Sequence, residues 1–306
     1  MKIITDFCSE KVLSLWSDVF GKDEAELERV QIDGTENKFN TDVVFSATEG
    51  DDLLGTVHTT ISKAFPEMAG VSGVCTSEKA RGKGISKILF EKAMNYLREN
   101  RVKIAFLGTS NPVAAKVYSS YGFEFIPGTY VMVNSFEKKY SDYLKEMYNT
   151  PFSNLKIAEG TPELRIPIIP LVNFIDDISA LDINTGIVGR ALFSQKSCMG
   201  LFPRYLKENY YCAVNEDNVF GALMSVKKSD KGMRADFFSC KEFDKCVPAL
   251  IKYYEDKFDD LYFQVADIDE RKIAVLKNSG YTASETITET FNGILIPMTV
   301  YKKRDA

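Results

Sequence analysis

Apolar residues recur along this chain at two spacings, and their alternation predicts the elements of its first half. Val43–Thr48 and Leu53–Ile61 are runs rich in β-branched residues on either side of Glu49-Gly50-Asp51-Asp52, a pattern that predicts a hairpin. Gly70–Thr76 reads as a third strand that runs into the polar loop Ser77–Gly84. The spacing then changes: Ile85, Ile88, Leu89, Ala93, Tyr96 and Leu97 recur at three and four residues, which lays one apolar stripe along a helix. Val102–Leu107 is a short buried strand, and Asn111-Pro112 opens a second helix with Asn as cap and Pro at the first helical position. In that helix Val113, Val117 and Tyr121 share one face and Ala114 and Tyr118 the next; Gly122 is its stop signal. Phe123–Ile126 and Tyr130–Asn134 are strand-like, so the first half falls in the mixed α/β class.

Lys138–Phe152 is polar and helical in pattern and ends at Asn149-Thr150-Pro151, which sets a domain boundary near residue 150: one domain over 1–150 and another over 151–306. The pattern then begins again. Leu155–Ala158 reads as a strand, Thr161-Pro162 as a helix start, and Tyr210–Val214, Asn215–Asn218 and Val219–Val226 as strand, turn and strand, with Gly221 placed after its turn much as Gly55 is placed after the first. Setting Gly280-Tyr281 on Gly122-Phe123 without gaps brings Asp269 onto Asn111, Leu276 onto Tyr118, and a helix Phe243–Phe258 onto Ile85–Asn100. Identity is slight, but the order of elements repeats, which predicts two copies of one fold.

Composition narrows the classes of function. The chain has 306 residues, 45% hydrophobic and 26% charged, with a formal net charge of −5; it can bury real cores, and it lacks the basic stripe of a nucleic-acid binder. No apolar stretch reaches membrane-spanning length and the start, MKIITDFCSEKV, has no signal-peptide pattern. The six cysteines (8, 75, 198, 212, 240 and 246) include no CxxC pair, so free thiols and a cytoplasmic location are expected. A single histidine, His58, excludes a histidine-rich metal site, and no metal is expected.

Candidate chemistry gathers in GVCTSEKARGKGIS, ahead of the first amphipathic helix. Gly82 and Gly84 let several backbone N–H groups converge at a helix start, where unsatisfied donors and partial positive charge favour an anion; Arg81 and Lys83 add charge. A pyrophosphate-bearing ligand fits such a cradle, although the spacing matches neither GxxxxGK[ST] nor GxGxxG. The segment resembles the GNAT superfamily of N-acetyltransferases, whose [Q/R]xxGx[G/A] loop is met by Arg81, Gly82, Lys83, Gly84, Ile85 and Ser86, with Ser86, still a small residue, in place of the family's final Gly or Ala. TSNPVAAKVYSSYGFEFI extends the resemblance through Asn111, Ala114, Tyr118 and Gly122-Phe123, over roughly residues 40–135.

The resemblance implies two GNAT-like domains, each a mixed and mostly antiparallel sheet flanked by helices. It implies acetyl-CoA as co-substrate, held by Val74, Thr76, Arg81, Gly82, Lys83, Gly84, Ser86 and Asn111, and direct attack by a primary amine of a small molecule or peptide in a ternary complex. Tyr118 is then the general acid, and His58 or Glu67 a candidate base, although a strand histidine beside Thr56 and Thr60 also reads as a bonded core residue. Cys75 reads as a packed thiol and Trp16 as core. In the second copy Arg81–Ser86 becomes Ser239, Cys240, Lys241, Glu242, Phe243 and Asp244, so both glycines are lost; that copy is expected to be degenerate and to lack a CoA loop. The rival readings are an acyl-CoA sensor without turnover and a scaffold that binds no cofactor.

Overall fold

The computed structural model describes residues 1–5, 8–148, 156–174, 181–184, 187–188, 210–216, 219–239, 241–291 and 293–303. They gather into two compact units. The first comprises Met1–Tyr143 together with Thr161–Ile169, and the second holds most of the remainder through to the C-terminal strands. The boundary expected near residue 150 lies outside the described residues, as do Cys198 and Cys240.

In the first unit β1 (Lys2–Ile4) is followed by α1 (Ser9–Phe20) and α2 (Lys22–Ile32), then by β2 (Asn40–Glu49), β3 (Asp52–Ser62) and β4 (Met68–Thr76). A 3-10 turn at Glu78–Ala80 leads to α3 (Ile85–Glu99), β5 (Ile104–Gly108), α4 (Pro112–Ser119), β6 (Glu124–Phe125) and β7 (Val131–Ser135). The strands form one seven-stranded sheet in the order β1-β2-β3-β4-β5-β7-β6, antiparallel except for the pair β4–β5. One face packs on α3 through Leu89, Phe90, Ala93, Met94 and Leu97, all wholly buried. Of the predicted stripe Ile85, Leu89, Ala93 and Leu97 are buried, Tyr96 is partly buried and Ile88 is exposed, while Phe90 and Met94 turn inward beside them. The other face is covered by α1, whose Val12 and Trp16 share a smaller core with Ala25 of α2 and Cys75. The helix from Asn111 ends at Ser119, short of Gly122; the intervening turn tightens until Gly122 reaches a φ of 92°.

The second unit repeats this plan. α5 (Tyr140–Tyr148) and α6 (Ile168–Phe174) carry the chain between units. They flank β8 (Lys156–Glu159) and a 3-10 turn at Pro162–Arg165. The small hairpin β9 (Leu181–Asp182) and β10 (Ile187–Val188) precedes β11 (Tyr210–Glu216), β12 (Val219–Ser229) and β13 (Gly232–Ser239). α7 (Val247–Glu255), β14 (Leu261–Ala266), α8 (Glu270–Asn278), β15 (Tyr281–Phe291) and β16 (Ile294–Lys303) complete it. Its sheet runs β8-β11-β12-β13-β14-β16-β15, with β13–β14 as the parallel pair, which is the order and the polarity of the first sheet.

Individual residues follow the repeat. Asp269 caps α8 through the Lys272 N–H (3.0 Å) as Asn111 caps α4 through the Val113 N–H (2.9 Å). A Cβ on Gly55 would meet Ile85, and one on Gly221 would meet Phe243, the residue that the sequence alignment sets on Ile85. The helix expected over Phe243–Phe258 starts as a 3-10 segment, Lys241–Cys246. Its α-helical part begins at Val247, because Pro248 has no N–H to continue a ladder from residues upstream.

Candidate active site

An irregularity in β4 opens the site. β3 and β4 pair as Thr56↔Cys75 and His58↔Ser72, so Gly73 and Val74 together oppose Val57: a bulge. Gly73 takes a φ of 56°, and a Cβ there would lie 2.3 Å from the Trp16 ring. Trp16 fixes the bulge from below, since its Nε1–H donates to Thr56 Oγ1 (2.8 Å) and the Thr56 hydroxyl donates to the Gly73 carbonyl (2.7 Å). The bulged strand bends, and its parallel pairing with β5 stops at Gly70↔Phe106. Past that point Val71–Thr76 and Leu107–Gly108 diverge and line a cavity of about 990 Å³. β4 thereby presents backbone groups that β5 does not occupy.

At the end of β4 lies the glycine loop. Gly82 and Gly84 have φ values of 77° and 74° with nothing within 4 Å of a Cβ built on either, so the loop surface is open. Gly84 is the residue before α3, and α3 begins without a side-chain cap, which leaves the first N–H groups of the helix without that partner. Arg81 and Ser86 reach the cavity wall, while Gly82, Lys83 and Gly84 are exposed beside it. The geometry and charge of this loop fit a diphosphate, and the unpaired backbone of β4 fits an extended arm behind it.

The structure brings most of the expected residues together: Val74, Thr76, Arg81, Ser86, Asn111 and Tyr118 all line the one cavity. Asn111 Oδ1 is used twice at the start of α4, accepting from Val113 and Ala114. That places Tyr118 two turns along the helix, buried and stacked on Phe90 with ring centroids 5.0 Å apart. Burial, with the nearby Cys75 thiol adding a smaller effect, pushes the Tyr118 phenol up to about 12. Cys75 is itself buried against Thr56, and its thiol is pushed up to about 11, mainly by burial; it is a poor nucleophile at neutral pH.

Neither expected base is part of the cavity wall. Glu67 precedes β4, at the strand end opposite the glycine loop, where its carbonyl accepts from Lys103 and Ile104 (2.9 and 3.1 Å). His58 is fully buried inside the sheet, with Nδ1 2.9 Å from Ser72 Oγ and Nε2 2.9 Å from Asp42 Oδ1. A carboxylate that does line the cavity is Glu28 of α2, which no sequence motif marks; it accepts from Ser72 Oγ at 3.0 Å. Burial raises the Glu28 pKa above the ordinary carboxylate value, and His58, the Ser72 hydrogen bond and Arg165 oppose that rise. Glu24, one turn earlier on α2, lines the same cavity. The only signal for either residue in the sequence is an i, i+4 pair of acids on a charged helix, the usual pattern of a solvated face.

Fold and site together define a mixed α/β domain that opens a slot between two parallel strands, with an open glycine loop and an uncapped helix start at one end of it. Residues 1–126 match the family model described as an acetyltransferase (GNAT) domain. No curated protein matches the chain. Among solved structures, the chain is similar to a GNAT family acetyltransferase from Brucella melitensis in complex with acetyl-CoA (17% identity, 45% of this chain and 89% of that one, TM-score 0.37). It is similar to the Escherichia coli GNAT family N-acetyltransferase YhbS in complex with CoA (21% identity, 44% and 80%, TM-score 0.36). A third is a variant of the spermidine N-acetyltransferase SpeG from Vibrio cholerae (10% identity, 48% and 91%, TM-score 0.36).

Proposed function

We propose that the first unit transfers the acetyl group of acetyl-CoA to a primary amine by direct attack in a ternary complex. The observation that carries this reading is the join of an uncapped helix start, Gly82-Lys83-Gly84, to the cavity that holds the Tyr118 side chain. Arg81, Lys83, Ser86 and the glycine N–H groups hold the diphosphate, and Val74 and Thr76 offer the backbone of β4 to the pantetheine arm. Asn111 fixes the start of α4, which positions Tyr118. Bound acetyl-CoA supplies an electrophilic thioester carbonyl. Backbone N–H groups of the splayed strand stabilise the charge that grows on its oxygen. Tyr118, protonated throughout the neutral range because of its raised pKa, donates to the departing sulfur.

The second unit is, in this reading, a degenerate copy that holds no CoA. The place of its loop is closed from within: Arg271 Nε binds Asp244 at 2.6 Å, Arg271 Nη2 binds the Ser239 carbonyl at 2.6 Å, and the buried Phe243 ring fills the space beside Gly221.

The test is thiol release by the full chain from acetyl-CoA, with and without a panel of primary amines: an alkyl monoamine, an α,ω-diamine, an aminoglycoside and a peptide N-terminus. Amine-dependent release is expected. Stabilisation of the fold by acetyl-CoA without turnover of any amine would favour the sensor instead, and a ligand present at about 100 times its Kd stabilises by about 2.7 kcal/mol, enough to detect in a thermal shift.

A further inference from the structure

We infer that Glu28 takes the proton from the acceptor amine and that Ser72, His58 and Asp42 form a relay behind it, moving that proton from the cavity into the sheet. The inference rests on the transferase reading for its chemistry, but its geometry stands by itself. Four side chains from α2, β4, β3 and β2 form one line: Glu28 Oε2 to Ser72 Oγ at 3.0 Å, Ser72 Oγ to His58 Nδ1 at 2.9 Å, and His58 Nε2 to Asp42 Oδ1 at 2.9 Å. One end opens on the cavity and the other is sealed, with His58 fully buried. Thr60 donates to the same Asp42 oxygen at 2.5 Å and holds the carboxylate in place.

The hydrogens in this line cannot be arranged in only one way. Asp42 as a carboxylate only accepts, so Nε2 carries a hydrogen and, in the neutral ring, Nδ1 is bare. Ser72 then spends its single hydrogen on Nδ1 and has none for Glu28, so the Glu28–Ser72 contact requires the proton on Glu28. If instead His58 is doubly protonated, Nδ1 donates to Ser72 and Ser72 donates to a Glu28 carboxylate. One proton therefore has two sites, Glu28 and His58, exchanged by rotation of one hydroxyl.

The two sites give the transfer a complete proton balance. Before the acceptor binds, the line carries no extra proton: Glu28 is a carboxylate, His58 is neutral, and the Ser72 hydroxyl donates to only one of them. The acceptor arrives as an ammonium and gives a proton to the Glu28 carboxylate, leaving a free amine. Ser72 passes that proton to Nδ1, where the imidazolium is neutralised by Asp42, and Glu28 is again able to accept the second proton that the nitrogen loses when its bond to the acetyl carbon forms. Tyr118 gives one proton to the sulfur and recovers one from Glu28; the proton on His58 returns by the same line once the product leaves. The charges facing Glu28 are Glu24 on its own helix, His58 on β3, Arg165 on the 3-10 turn and the Cys75 thiol on β4.

Because His58 is the only histidine, its ring nitrogens give unambiguous 15N signals in the full chain. The relay predicts that the Nδ1 signal moves as Glu28 ionises, that Glu28→Gln abolishes this movement, and that Ser72→Ala abolishes it with Glu28 intact. An Nδ1 signal indifferent to both substitutions overturns the relay, whatever the chain acetylates. In the amine panel, Glu28→Gln is expected to lose at least ten-fold in kcat, with KM for acetyl-CoA retained and with the loss shrinking as pH rises and the amine deprotonates by itself. Turnover by Glu28→Gln equal to wild type at neutral pH overturns the role of Glu28. Absence of turnover by the wild type sinks the transferase reading and leaves the 15N result to decide the relay.

Discussion

Gly73 meets two demands at the same atom: a left-handed φ of 56°, and a Cα in van der Waals contact with the indole of Trp16. A methyl group there carries the αL penalty and the cost of displacing a ring that is 1% exposed and hydrogen-bonded to Thr56. Gly73→Ala is expected to lose more than about 2 kcal/mol in urea unfolding and to weaken acetyl-CoA binding, since the bulge and the splay go together. An unchanged unfolding midpoint would mean that the bulge does not need this residue. Tyr118→Phe keeps the stack on Phe90 and removes only the hydroxyl, so it is expected to lower kcat by about ten-fold or more with little change in KM for acetyl-CoA. With its pKa raised to about 12, Tyr118 keeps its proton below that value, so the wild type should show no loss of activity from this group between about pH 7 and pH 10. A falling limb in that range that disappears in Tyr118→Phe would contradict the assignment.

Among the elements, α4 joins stability to the site. Asn111→Ala removes an acceptor used by two N–H groups and should cost about 1 kcal/mol, whereas Asn111→Asp keeps the cap. Chemical denaturation of the two variants separates capping from ligand contact: if Asn111 also touches the cofactor phosphates, the Asp variant is as stable as wild type yet binds CoA more weakly. The glycine loop, α3 and α4 were legible because each is written locally, in a cap, a stop residue and an apolar stripe within about twenty residues. α2 was not. KDEAELERVQI is charged nearly all round, and it is held by Ala25 and Gln31, the only residues of that helix that are fully buried. Glu28 acquires meaning only through Ser72, which lies 44 residues further along the chain and is brought to it by packing. His58 was legible as a residue that shares a strand face with Thr56 and Thr60; that Asp42 and Ser72 would clasp it from the two adjacent strands depended on register, which strand patterns do not encode.

At the scale of the whole molecule, the chain beyond β7 returns to complete the first unit. Arg165, fully buried, forms a paired ion bond with Glu36, its Nε donating at 3.1 Å, and Ser62 donates to the Glu163 carbonyl at 2.8 Å. Burial raises the Glu36 pKa and the guanidinium opposes that rise, so removing Arg165 leaves a buried carboxyl without its counter-ion. Arg165→Met is expected to cost about 3–5 kcal/mol in the first unit, and truncation after residue 150 should be at least as harmful; a loss under about 1 kcal/mol in either would make the pair incidental. The matched strand orders of the two sheets show one plan used twice, and the proposed function assigns the cofactor to the first copy alone. Calorimetric titration of the full chain with acetyl-CoA tests this most directly. One site per chain is expected, weakened at least ten-fold by Arg81→Glu, because that change sets a carboxylate where the proposed function seats a diphosphate. No binding, two sites per chain, or one site indifferent to Arg81→Glu would contradict it.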